Sequence, residues 1–229
     1  MRIILPDLIV AGGLALAASI PLTKCSLAYG AEPPADQVVE NLTQRVLKYT
    51  PTWYPPGGGP ETTIDREARW AGIVGVAWDE SSKAHNPMWP NDQSALLLAT
   101  WKFESAFDFH VHGGEVSPIG SQDSGKARCL GQLHHIKSWW TEDEWRALAG
   151  RNHEATERCA KATLRAFWYH AERCKLRRDI PKAKRWRGML SLDEVAILMG
   201  AYGTGTTCKP LAWQKKRVAE FEKLRELTL

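Results

Sequence analysis

Asn91-Asp92-Gln93-Ser94-Ala95-Leu96-Leu97-Leu98-Ala99-Thr100-Trp101-Lys102-Phe103-Glu104-Ser105 passes from a polar start through an apolar run to an acidic end, with no glycine or proline inside it. The pattern predicts a helix, with Asn91 suited to cap its first turn. Leu97, Trp101 and Glu104 recur at i, i+4 and i+7 and so share a face. A carboxyl is thereby threaded into a stripe otherwise suited to burial. Burial disfavours its charged form, and the negative end of the helix dipole acts in the same direction. A carboxyl that holds its proton near neutral pH is what general-acid chemistry requires. Glu104 is therefore the candidate catalytic residue; the alternative is a surface glutamate on the polar flank beside Lys102.

Helical period recurs on both sides of this segment. Residues 37–48 predict a short helix, and Thr63 to Ser82 sets Trp70, Ile73, Val74 and Ala77 on one face. Between them Pro55-Pro56-Gly57-Gly58-Gly59-Pro60 is a hard break, a linker or an ordered loop. Pro87 to Pro90 ends the second helix. A loop containing glycine and histidine follows from His110 to about Lys126, then short helical pieces near residues 139–148. Ala155 to Cys174 reads as one long helix, with Cys159, Thr163, Phe167 and His170 at helical spacing. Ser191-Leu192-Asp193-Glu194 has capping-box spacing and opens a helix reaching about Tyr202. The tail from Pro210 to Leu227 is amphipathic, with Trp213, Val218, Phe221 and Leu224 suited to docking. No strand pair with a hairpin turn is legible, so the expected fold class is mostly α.

The chain has 229 residues, 44% hydrophobic and 24% charged, which excludes a disordered, collagen-like or multi-span membrane protein. Residues 1–30 read as a secretory signal peptide: a short positive start, an apolar run from Leu8 to Leu22, and a small-x-small site at Ala28-Tyr29-Gly30. An uncleaved anchor is the rival, but the run is short for a span and holds Pro21. Lys24 precedes Cys25 where a lipid-attachment site places a small residue, so lipidation is not expected. The remaining four cysteines, Cys129, Cys159, Cys174 and Cys208, predict two disulfides in an exported chain. On one helix, Cys159 and Cys174 lie about 22 Å apart, at a rise of ~1.5 Å per residue. A disulfide tolerates less than about 7 Å between Cα atoms, so each must pair with Cys129 or Cys208.

Net charge is +4 overall. Much of the excess falls in Lys175 to Arg187, a solvated loop or a surface for a polyanion. Most of the eleven tryptophans are expected in the core, the others where an apolar face meets a polar ligand such as a sugar.

Three elements resemble a known family. Glu104-Ser105-Ala106-Phe107 is similar to the E-S-x-F element of lytic transglycosylases with the goose-type lysozyme-like fold. Gly125-Lys126-Ala127-Arg128-Cys129-Leu130-Gly131-Gln132-Leu133 is similar to their G-x-x-G-L-M-Q-L, and Ala201-Tyr202-Gly203-Thr204-Gly205 to their A-Y-N-x-G. The resemblance spans roughly residues 91–208. It implies a helical lysozyme-like catalytic domain over 63–229, preceded by an N-terminal helix and Pro/Gly-rich segment over 31–62. It implies Glu104 as acid and then base, with Ser105, Gln132, Tyr202 and Gly203 contacting substrate and the Tyr202 hydroxyl aimed at Glu104. Cys129 stands where the family has Gly, Gly131 where it has Met, and Gly203 where it has Asn.

The resemblance further implies cleavage of the β-1,4 bond between N-acetylmuramic acid and N-acetylglucosamine in peptidoglycan, leaving 1,6-anhydro ends. A monomer acting on glycan strands is expected, with no cofactor, no metal, no nucleic-acid partner and no membrane insertion after signal cleavage. Asp108, Glu115 and Asp123 are available to activate water, which would give a hydrolytic lysozyme instead. Two other classes compete. His110, His112, His134 and His135 with Asp108 would suit a metallohydrolase, although no HExxH or zinc spacing is present. A non-catalytic wall-binding module would use the tryptophans and the basic stretch.

Overall fold

The computed structural model describes residues 35–48, 59–83, 90–115, 126–136, 138–176 and 190–229. The expected signal peptide, the break at residues 55–58, Asp123 and the basic stretch from Arg177 to Arg187 lie outside the described residues.

Helix α3 (Pro90–Ser105) is the axis of the fold. Every residue from Asn91 to Trp101 is buried, so those turns have no solvent face at all. The single-stripe reading of this helix therefore gives way to a fully enclosed one. A helix with no solvent face must be surrounded, and α2 (Thr63–Lys83), α6 (His153–Arg173) and α8 (Lys215–Glu226) pack against it. Each leucine buried this way contributes about 2 kcal/mol.

The polar residues at the start of α3 are buried with partners. Asn91 donates through Nδ2 to the Thr228 carbonyl at 2.9 Å, and Gln93 donates through Nε2 to the Ser81 carbonyl at 3.3 Å. Asp92 accepts from the Leu190 N–H. Asn91 is not the cap expected of it. The helix begins one residue earlier, at Pro90, whose fixed φ and missing N–H suit a first helical position.

Helix α1 (Ala35–Leu47) lays Val38, Leu42 and Val46 against α2, and the Thr62 hydroxyl caps α2 by accepting from the Asp65 N–H at 3.1 Å. The α2 stripe expected from its period is buried as such. Two short helices follow α3: α4 (Phe109–Gly113), and α5 (Glu142–Arg146) with a Thr141 capping box. Helix α6 starts from an Asn152 cap. Helix α7 (Leu192–Thr204) opens with the expected capping box: Ser191 Oγ accepts from the Glu194 N–H, and the Glu194 carboxylate accepts from the Ser191 N–H at 2.8 Å. A 3-10 turn at Ala212–Gln214 leads into α8. The eight helices make the described residues mostly α.

One element escaped the sequence. Strands β1 (Ala127–Arg128) and β2 (Leu133–His134) form an antiparallel ribbon, pairing Ala127 with His134 and Arg128 with Leu133. Two residues per strand are too few to leave a period-two signal.

The disulfides are Cys129–Cys159, with Cα atoms 6.0 Å apart, and Cys174–Cys208, at 5.2 Å. Both obey the rule that Cys159 and Cys174 cannot pair with each other. Trp70, Trp101 and Trp140 are buried, Trp78, Trp139, Trp145 and Trp168 are partly buried against the core, and Trp213 is 48% exposed. No helix among the described residues is long and apolar enough to cross a membrane.

Candidate functional site

Glu104 occupies the last turn of α3, and the chain reverses directly after it. Ala106 and Phe107 take left-handed φ values of 49° and 55°, uncommon for residues with a Cβ. Each costs on the order of 1 kcal/mol or more. The Ser105 hydroxyl holds the reversal by donating to the Trp101 carbonyl at 2.9 Å and accepting from the Phe107 N–H at 3.2 Å. Burial of Phe107, edge-on to Trp70 at 4.5 Å, offsets the strain. Ser105, expected to contact substrate, is buried, and its hydroxyl is engaged in holding the turn.

The Glu104 side chain is 19% exposed and ion-pairs with Arg217 of α8. The guanidinium carbon of Arg217 lies 5.4 Å from the Phe103 ring centroid and 4.9 Å from that of Trp213. Nothing in the sequence announces this pair. The partners are 113 positions apart, and Arg217 reads as one more cation on a polar helix face.

Tyr202 does not aim its hydroxyl at Glu104. It donates to the Gly131 carbonyl at 2.5 Å, tying the end of α7 to the ribbon turn. Burial, then the negative charge of Glu104, push the phenol well above its ordinary pKa, so it stays protonated and serves as a donor. Its ring packs on Phe167 at 5.0 Å. Gly131 and Gln132 lie in the turn between β1 and β2, where Cys129 and Gln132 both adopt left-handed φ. Gln132 donates through Nε2 to the Cys129 carbonyl at 3.2 Å.

Beside this junction is a cavity of about 500 Å³. Its walls come from the ribbon side (Gln132, Leu133, Trp139), from α6 (Tyr169, His170, Arg173) and from residues 202–205 at the end of α7. Trp139 and Tyr169 meet edge to face at 4.9 Å. Burial, assisted by the Arg173 charge, lowers the His170 pKa to about 4, so this imidazole is neutral at ordinary pH. Glu104 is not among the lining residues. Gly203 borders both: it lines the cavity, and a Cβ built on it would stand 3.9 Å from Glu104 Oε1 and 3.0 Å from the Trp213 ring.

Helix α6 anchors both walls. Cys159 binds it to the ribbon turn and Cys174 to the segment after α7. Arg173 adds hydrogen bonds to the carbonyls of Gly205 and Thr206.

The histidines disperse. His112 is buried, with Nε2 against the Thr156 hydroxyl at 2.8 Å, while His110 sits 3.0 Å from a Glu115 oxygen. His135 is 3.6 Å from Glu142, and His134 lies exposed on β2. Among the described residues no three His, Cys, Asp or Glu side chains gather closely enough to hold a metal ion. Asp108 is 3% exposed and caps α4 by accepting from the His110 N–H. Glu115 pairs with Arg151 at 2.7 Å; that bond and the one from His110 hold its carboxyl below its ordinary pKa.

Comparison with protein-family models, with curated proteins and with solved structures returned no match.

Proposed function

We propose that this chain is an exported peptidoglycan-cleaving enzyme with a lysozyme-like arrangement of its helices. It cuts the β-1,4 bond between N-acetylmuramic acid and N-acetylglucosamine with Glu104 as its single acid. The observation that carries the reading is convergence. Glu104, the Gly131-Gln132 turn and Tyr202-Gly203 are far apart in the chain, yet they meet around one junction beside an aromatic-walled cavity. Two disulfides suit an oxidising compartment outside the cytoplasm.

In the reaction, protonated Glu104 gives its proton to the glycosidic oxygen as the C1–O bond breaks and positive charge develops at C1. The C6 hydroxyl of the same muramic acid then attacks C1, and its proton passes to the Glu104 carboxylate. The products are a 1,6-anhydro ring and a free glucosamine end, and Glu104 is again protonated. Hydrolysis needs a second carboxylate to activate water. Of the carboxylates available to activate water, Asp108 is engaged as a helix cap and Glu115 by Arg151 and His110, which makes these two poor general bases. Trp139 and Tyr169 supply flat faces for sugar rings.

Glu104→Gln is expected to abolish release of soluble muropeptides from purified peptidoglycan while leaving the fold intact, as read by circular dichroism. Mass spectrometry of the wild-type digest is expected to show fragments one water lighter than hydrolysed ones; reducing ends would point to a lysozyme. The Glu104–Arg217 pair favours one second reading, a non-catalytic wall-binding module whose carboxylate is permanently neutralised. Binding to the wall without release of any muropeptide would establish it.

A further inference from the structure

We infer that Arg217 is a receptor for a substrate carboxylate, and that this site selects glycan whose muramic acid carries a free lactyl carboxylate beside the scissile bond. The inference rests on the reading of Glu104 as the acid.

An acid must hold a proton before it can donate one, so the reactive state has a neutral Glu104. The Arg217 guanidinium then loses its anion. Among the described residues it has no second acidic partner. Its side chain is 13% exposed, too little for water to replace the lost carboxylate fully. Nor is its helix free to withdraw. One turn further along α8, Glu220 bonds Arg45 of α1 at 3.1 Å and Lys102 of α3 at 3.0 Å, and Phe221 is fully buried.

An unpaired cation at that position also opposes the chemistry. Cleavage develops positive charge at C1 next to the acid, and a fixed positive charge nearby raises the energy of that state. A substrate anion removes both penalties at once, by pairing with Arg217 and by releasing Glu104 to take up a proton. The guanidinium is planar and flanked by Phe103 and the half-exposed Trp213, and its fork suits bidentate capture of a carboxylate. Uniform β-1,4 N-acetylglucosamine has no anion to offer. Muramic acid carries one on its O3 lactyl ether, ionised where the stem peptide has been removed and converted to an amide where it is attached.

Binding separates this inference from the enzymatic reading. In the full-length Glu104→Gln protein, calorimetry compares peptide-free N-acetylglucosaminyl-N-acetylmuramic acid with di-N-acetylchitobiose. The carboxylated disaccharide is expected to bind about tenfold more tightly, equivalent to ~1.4 kcal/mol. Adding Arg217→Gln is expected to erase the preference, and Arg217→Lys to restore part of it, with thermal melts verifying that each variant folds. Equal binding of the two disaccharides, or a preference that survives Arg217→Gln, overturns the inference. If the preference follows Arg217 but wild type releases no muropeptides, carboxylate recognition stands and the catalytic reading falls.

Discussion

A methyl group on residue 131 would stand 2.4 Å from the Thr163 hydroxyl oxygen and 3.0 Å from the Tyr202 hydroxyl. Thr163 cannot retreat, since it is wholly buried, donates to the Cys159 carbonyl at 2.8 Å and receives the Trp101 indole N–H at 3.3 Å. This is the physical reason for glycine where the resemblance would place methionine. Tyr202 fills that space instead. Gly131→Ala is expected to destabilise the protein by about 1–3 kcal/mol, the usual range for overpacking. It should also lower muropeptide release, because the displaced Tyr202 phenol lies within reach of the Glu104 charge. A melt and a turnover assay equal to wild type would show that the turn relaxes around the methyl. Gly203 follows similar logic: the asparagine of the family pattern would meet the Trp213 ring, which packs on Arg217.

At the level of elements, α6 is a rod from which both walls of the cavity hang. The Cys129–Cys159 bridge closes a sequence separation of 30, and Cys174–Cys208 one of 34. Loops of that size give about 3–4 kcal/mol per disulfide in the chain-entropy account. Reducing Cys174–Cys208, or replacing both of its cysteines by alanine, is expected to lower Tm by about 10 °C for a domain of this size. Substrate affinity should fall as well, because residues 205–208 would then lose their covalent tie to α6 and keep the Arg173 hydrogen bonds to it. Loss of stability with unchanged affinity would show that the wall keeps its place without the bridge. The helices themselves were legible for local reasons. The Ser191/Glu194 box, the α2 stripe and the spacing along α6 each lie within a few residues of chain. The start of α3 was not, because Asn91 is turned to the Thr228 carbonyl, a partner 137 positions away.

For the whole molecule, the most telling titration is that of His112. Burial, then the charges of Arg69 and Arg151, lower its pKa to about 3 from an ordinary 6.5. Folded protein thus keeps the ring neutral while unfolded chain protonates it below about pH 6.5. The unfolded state binds the extra proton between those limits, so stability rises with pH there and is lost as pH falls from about 6.5 toward 3. The loss from this one group is on the order of 4–5 kcal/mol. Urea titrations from pH 7 to pH 4 are expected to show about 3 kcal/mol of it, and His112→Gln should flatten the slope by about one proton. An unchanged slope in the variant would place the acid sensitivity elsewhere. Because His112 ties α4 to Thr156 of α6, acidification should loosen the segment that follows the Glu104 turn.

The amino-acid sequence alone determined the helical class, the capping of α7, the exclusion of a Cys159–Cys174 bridge and the standing of Glu104 at a helix end. All of these follow from periodicity, caps and the fixed rise of a helix, which act over a few turns. Only the tertiary structure decided that α3 is buried on every side, that Ser105 serves the turn, that Tyr202 donates to Gly131, and that Arg217 sits on Glu104. Those depend on which distant surfaces come together. A guanidinium on a polar helix face looks the same in sequence whether it meets water or, as here, a carboxylate 113 positions away.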